Sequence, residues 1–339
     1  MASSDGSRAA KVKRRLKTIP IMYLLWLAMT LTLPLLFLIG LLVDAFRFAF
    51  RRVPFVAVRV IAFGWVYLTF EAFLVPVLFG CWLVAGFGRS HRMLDSSSYV
   101  LQAWWAGALF WTFRTLFGVA LDVEGDEVVV PGPIILMLRH ASIADVLLAN
   151  VVVTRGRGIK LNYVFKRELL LDPAIDIAAN RMDNHFVARS GGSTSEIAAI
   201  RALSADLDEH HGVLIYPEGT RFTSQKRQRA VAHLQKTRPD LGRRAMLFRH
   251  VLPPRLGGPI TLLDPLTPAD VVIVSHVGLD GVAEVKDFLG GAMVGTTLRV
   301  SFERFACDDV PDNTEGRIAW LFDRWTEVDN WIHEAGGHS

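Results

Sequence analysis

The sequence predicts an α/β protein with a central, mixed and partly parallel sheet flanked by helices, preceded by a helical membrane anchor. Two observations predict it. From Gly125 onward, short β-rich apolar runs alternate with helical patterns, as expected when helices cover a sheet. Before that point, two long apolar runs are each of a length that can cross a bilayer.

The anchor begins with a basic tail, residues 1–17, carrying Arg8, Lys11, Lys13, Arg14, Arg15 and Lys17. The uncharged run Thr18–Val43 follows at once. It is too long for a signal-peptide core, and no small-residue cleavage site follows before Arg47, so the expectation is an anchor that is retained. A second run, Pro54–Gly88, is interrupted by Arg59 and Glu71. Residues 18–90 therefore read as a membrane helical hairpin. Glu71 reads either as a side chain that faces the first helix or snorkels, or as a functional intramembrane carboxylate. Basic residues in the tail, between the runs and after them leave two geometries open, a hairpin dipping into one leaflet or two full spans. The stronger charge of the tail favours a cytoplasmic N-terminus, with the catalytic part on the cytoplasmic face. Residues 91–124 hold the aromatic-rich stretch Tyr99–Leu121, with Trp104, Trp105 and Trp111. Interfacial and packed helices both fit it better than a third span.

Residues 125–339 form the α/β domain. Strands are expected at Pro133–Leu138, Leu161–Phe165, Val213–Tyr216, Val271–Val274 and Thr297–Phe302. Ser193-Thr-Ser-Glu196 reads as a capping box opening a helix whose buried stripe is Ile197, Ile200, Leu203 and Leu207. A last helix, about Thr314 to Glu334, stacks Ile318, Leu321, Phe322, Trp325, Val328 and Trp331.

Bulk properties narrow the function. Of 339 residues, 51% are hydrophobic, high for a wholly soluble chain, and the net charge is only +4. No zinc-finger spacing or RNP-like aromatic pattern is present, so nucleic acid is not an expected partner. Cys81 and Cys307 form no CxxC and no disulfide framework. His185, His210 and His211 lack metal-ligand spacing, so no metal is expected.

Two segments carry candidate chemistry. In Leu136-Met-Leu-Arg-His140-Ala-Ser-Ile-Ala-Asp145, a histidine leaves a strand and an aspartate follows five residues later. On one helical turn that carboxylate can fold back to hold one imidazole nitrogen while the other takes a proton. Ser142-x-x-Asp145 also reads as a capping box with no catalytic role. In Leu214-Ile-Tyr-Pro-Glu218-Gly219-Thr220-Arg221, a strand runs into a turn with a carboxylate, a glycine, a hydroxyl and a guanidinium suited to gripping phosphate. A surface turn with an ion pair explains it as well.

Together these segments resemble a known family. His140-Ala-Ser-Ile-Ala-Asp145 is similar to the His-x4-Asp first motif of the lysophosphatidic-acid-type glycerolipid acyltransferases, and Glu218-Gly-Thr-Arg221 to their third. Lys166-Arg-Glu-Leu169 resembles the basic segment of that family, Phe186-Val-Ala-Arg189 the second motif, and Val251-Leu-Pro-Pro-Arg-Leu-Gly-Gly-Pro259 the fourth. The order is kept across about Gly125 to the end. Glu218-Gly-Thr-Arg-Phe-Thr with a following basic helix, and the tail from Phe305, resemble the subgroup containing lysocardiolipin acyltransferase. Two departures stand out. Arg139 replaces the usual asparagine or histidine and places a like charge beside His140. Asp183-Asn-His185 replaces a glycine-led start of the second motif.

The resemblance implies transfer of an acyl group from acyl-CoA or acyl carrier protein to the free hydroxyl of a lysophospholipid, 1-acylglycerol-3-phosphate giving phosphatidic acid being the leading case. A CoA-independent transacylase is the alternative, as is acylation of another lysolipid such as lysophosphatidylinositol or lysocardiolipin. His140 would be general base and Asp145 its orienting partner. Lys166, Arg189 and Arg221 would bind the acceptor phosphate, with Glu218, Gly219 and Thr220 shaping that site. No cofactor beyond the thioester co-substrate is implied, and the partners are membrane lipids and the bilayer.

Overall fold

The computed structural model describes residues 7–142, 144–187, 194–205, 207–264, 268–280 and 285–336. The capping box at Ser193–Glu196 and Arg189 of the second motif lie outside the residues or side chains so described. The chain divides into two units, residues 1–117 with 164–191, and residues 118–163 with 192–339.

The first unit is helical. Helix α1 (Arg8–Arg51) starts at Ser7, whose hydroxyl accepts from the Ala10 N–H. Helix α2 (Ala57–Val84) starts at Val56, which has no capping side chain. Asp44 of α1 supplies the cap instead, its two carboxylate oxygens accepting from Ala57 N (2.9 Å) and Val58 N (3.0 Å). The α1–α2 hairpin is thus closed by one buried carboxylate. Further along, Trp26 Nε1 donates to Thr69, Trp65 Nε1 to Thr30, and Tyr23 to the Ala72 carbonyl. Such cross-helix bonds satisfy polar side chains without water. Both helices are long and apolar enough to cross a membrane, and Leu31 and Leu35 of α1 are largely exposed. Helix α3 (His91–Phe117) packs on α2, with Phe63 meeting Phe113 and Phe117 edge-on.

Glu71 takes its hydrogen-bond partner neither from α1 nor from solvent. It is buried, and its Oε2 accepts from Ala174 N, at the start of α5 (Pro173–Ala179). Asp172 caps the same helix through Ile175 N and accepts from Tyr67. Arg14 and Arg15 both grip Asp176 on α5. A short helix therefore serves as the anchoring point for charged groups of α1 and α2.

The second unit is built on a sheet in which β1 (Ala120–Glu124), β7 (Thr297–Phe305), β6 (Asp270–Val277), β2 (Ile134–Leu138), β5 (His211–Ile215) and β3 (Lys160–Lys166) lie side by side in that order. The pairing is parallel except between β6 and β7. Every residue of β2 is buried, as a strand covered on both faces requires. The end of β3, Val164–Lys166, belongs to the first unit and pairs in parallel with β4 (His185–Val187). The expected mixed, partly parallel α/β sheet is present. Strands β1 and β4 gave no sequence signal, being half-exposed or only three residues long.

Around the sheet lie α4 (Asp145–Ala149), α6 (Thr194–Ala202), α7 (Ser224–Thr237), α8 (Pro239–Ala245), α9 (Gly258–Leu262) and α10 (Thr314–Gly336). Two expectations are corrected. Helix α6 stops at Ala202, before Leu203 and Leu207, because the Leu203 and Ser204 N–H groups bond three residues back and the Ser204 hydroxyl takes the Arg201 carbonyl. On α10, Ile332 rather than Trp331 completes the buried stripe of Ile318, Leu321, Phe322, Trp325 and Val328.

Candidate active site

Strands β5, β2 and β6 are adjacent and parallel, so their carboxyl ends open at one edge of the sheet. Ligands of open α/β sheets bind at such edges. Each of the three strands delivers a polar residue there.

From β2 comes His140. Its Nδ1 lies 3.0 Å from Asp145 Oδ2 at the first turn of α4. The same oxygen accepts from Ala141 N at 2.8 Å and Ser142 N at 2.9 Å. The Ser142 N–H bond is half of the capping box considered above, and it coexists with the His140 contact. Three donors on one oxygen lock the carboxylate, and both side chains are nearly buried, at 11% and 0% exposure. Because Nδ1 is committed to Asp145, Nε2 is the nitrogen available to a substrate.

From β5 come Tyr216 and Glu218. Tyr216 stacks on the His140 ring with centroids 4.2 Å apart. Glu218 is buried, and its two oxygens accept from His140 N and from Leu252 N, each at 2.8 Å. It pins the backbone of His140 from a neighbouring strand. Burial pushes the Glu218 carboxyl up to about 8, against the opposing pull of the His140 and Leu252 N–H groups and of Arg139.

Gly219 then turns the chain at φ +66°, and a Cβ there would sit 2.5 Å from Arg255 Nε. A side chain at this position would be strained by the backbone conformation, and the flexible Arg255 guanidinium would have to shift to admit it. The Thr220 hydroxyl accepts from Lys226 Nζ. Arg221 precedes Phe222, whose N–H donates to the His140 carbonyl at 2.9 Å. Among the described residues Arg221 makes no ion pair.

From β6 comes His276, fully buried. Its Nε2 lies 3.2 Å from the Arg139 carbonyl and 3.5 Å from Asp145 Oδ1. The Arg139 carbonyl is its hydrogen-bond acceptor, so we assign the proton to Nε2, and burial holds the imidazole below its ordinary pKa. Asp145 thus lies between two imidazoles, His140 on one oxygen and His276 beside the other.

Arg139 turns away from His140. Its guanidinium pairs with Asp280 and donates to the carbonyls of His276 (2.6 Å) and His250 (3.0 Å). The like charge feared from the sequence is balanced by this carboxylate. Of the other residues singled out, Lys166 is exposed at the end of β3 and belongs to the first unit. His140, Asp145, Glu218, Gly219, Thr220 and Arg221 all belong to the second. Four residues escaped sequence reasoning: Tyr216, Arg255, His276 and Asp280. The usable signal was polar residues just past apolar strand runs, where Tyr216 and His276 both sit.

Residues 120–257 match the Acyltransferase family model. This segment holds His140, Asp145 and Glu218 through Arg221. The fold is similar to that of the 1-acyl-sn-glycerophosphate (LPA) acyltransferase PlsC from Thermotoga maritima, with a TM-score of 0.55, 14% identity, and coverage of 83% of this chain and 96% of that one. No curated protein matches the chain.

Proposed function

We propose that the chain is a membrane-anchored glycerolipid acyltransferase that moves a fatty acyl group from an acyl thioester to a lysophospholipid hydroxyl, with 1-acylglycerol-3-phosphate as the leading acceptor. The observation that carries this reading is the His140–Asp145 pair, pinned at a sheet edge inside the segment matching the acyltransferase family. Nε2 of His140 takes the proton from the acceptor hydroxyl as its oxygen attacks the thioester carbonyl. The imidazolium is stabilised by Asp145. Collapse of the tetrahedral adduct breaks the C–S bond, and the imidazolium returns its proton to the departing thiolate. The substrate brings its own nucleophile, so no acyl-enzyme forms.

A cation without a protein counter-ion next to this pair suits the acceptor phosphate, and Arg221 has that position, with Arg255 beside Gly219 as a second. Lys166 and Arg189 are assigned to phosphate binding on the family resemblance alone. The apolar α1–α2 hairpin supplies the anchor. It would spare each substrate acyl chain about 0.8 kcal/mol per CH₂ otherwise drawn into water.

The purified chain, given lysophosphatidate, lysophosphatidylinositol or lysocardiolipin with and without acyl-CoA or acyl carrier protein, tests the reading. Thioester-dependent phosphatidate formation is expected. Product formed without any thioester would replace it with transacylation. Arg221→Ala should raise the KM for the phosphate-bearing acceptor about tenfold and leave kcat nearly unchanged; an unmoved KM removes Arg221 from the phosphate site.

A further inference from the structure

From Arg221 through His250 the chain carries nine Lys or Arg, Arg221 included, against one acid, Asp240, a net +8 in a protein whose total is +4. The remainder of the molecule is therefore net negative. This charge is concentrated on the hairpin of α7 and α8. Gly242 of α8 lies so close to α7 that a Cβ there would sit 2.8 Å from the Gln235 backbone. The two helices form a tightly packed projection, and α7 buries none of its side chains.

Both feet of the hairpin stand on the candidate active site. At the outgoing foot, Phe222 N donates to the His140 carbonyl. At the returning foot, Leu252 N donates to Glu218, which also holds His140 N. The hairpin is thus an excursion from the rim of the site. Several of its charges serve the fold: Arg227 ties the Met246 and Phe248 carbonyls, Arg238 pairs with Asp240 and Glu315, and Arg244 with Asp323. Arg229, Lys236 and Arg243 are exposed and make no ion pair among the described residues. Beside them, just past α8, Leu247 is 73% exposed and Met246 47%. Gln235 Nε2 donates to Met246 Sδ, which places this apolar pair against α7.

We propose that the α7–α8 hairpin is a membrane-docking surface that seats the rim of the catalytic unit on anionic lipid, with Leu247 and Met246 inserted among the headgroups and Arg229, Lys236 and Arg243 on the phosphates. Exposed apolar side chains amid uncommitted cations have the composition of an interfacial binder. The inference rests on the acyltransferase reading in one respect: a lipid acceptor must reach His140 from a leaflet, so the rim must meet that leaflet. An acidic carrier protein offers the same charge but no reason for the apolar pair to protrude.

The test uses the full chain with Cys81→Ser and Cys307→Ser, and Leu247→Cys labelled with an environment-sensitive fluorophore. The chain is reconstituted in phosphatidylcholine bilayers with or without phosphatidylglycerol. A blue shift and quenching by lipid-borne nitroxide are expected in the anionic bilayers. Both should be lost in high salt, where the short Debye length screens the attraction, and in the triple variant Arg229→Gln, Lys236→Gln, Arg243→Gln, which removes only exposed charges without an ion pair among the described residues. Emission unaffected by lipid composition overturns the proposal, as does a shift that appears only when acyl carrier protein is added. The fluorescence readout needs no turnover. A dead enzyme with a lipid-dependent shift would sink the catalytic reading alone, and an active one without the shift would sink docking alone.

Discussion

Asp145→Asn is expected to lower kcat by on the order of 10² to 10⁴ with little change in folding, the range that a positioned acid or base contributes. The amide can place its oxygen where Oδ2 now accepts from Ala141 N and Ser142 N, so the local backbone survives. The negative charge does not survive, and with it goes the support for a positive His140. His140→Ala removes the base itself and should fall in the same range. The double variant should be no worse than either single one, because the two groups act as a unit. Rates of acyl transfer, measured alongside thermal melting, check this. If neither substitution costs much more than tenfold in a folded protein, the catalytic assignment is wrong.

Glu218→Ala should act on stability first. It leaves the N–H groups of His140 and Leu252 without acceptors inside the fold, at about 1–3 kcal/mol each. It also unpins His140, the proposed general base, so activity should fall by more than the folded fraction does. Glu218→Gln separates charge from shape, and the sign of its pH dependence follows from the raised pKa. A carboxyl whose folded value is about 8 binds its proton more tightly when folded than unfolded. Its contribution to stability is full below the ordinary value near 4.5 and is lost as pH rises through about 8, at up to about 1.4 kcal/mol per pH unit. The melting temperature of the wild type should therefore decline relative to Glu218→Gln across that window. Parallel curves would show that Glu218 stays ionised throughout.

Much of this molecule is legible locally. The two long N-terminal helices follow from apolar length, and five of the strands from short β-rich runs between turns. The His140–Asp145 contact spans five residues and needs only one helical turn. Other features are not local. The sequence left Glu71 to face α1, to snorkel or to act as a functional carboxylate, whereas the structure gives it the N-terminus of a helix about one hundred residues later. An apolar stripe at helical spacing suggested that α6 continues through Leu207, but backbone bonds three residues back end it at Ala202.

The chemistry of the site divides along the same line. Spacing and residue type offered a His–Asp pair and an arginine that a capping box and a surface ion pair explained as well, and the family resemblance gave them the roles of base, orienting carboxylate and phosphate binder. The roles of Glu218 as a clamp on His140, His276 as the second neighbour of Asp145, and Asp280 as the counter-ion of Arg139 appear only once β5, β2 and β6 are aligned. Strand register brings these groups together from 78 to 141 residues apart. Periodicity says which face of a strand is buried, but the residue opposite it is chosen by pairing with other strands.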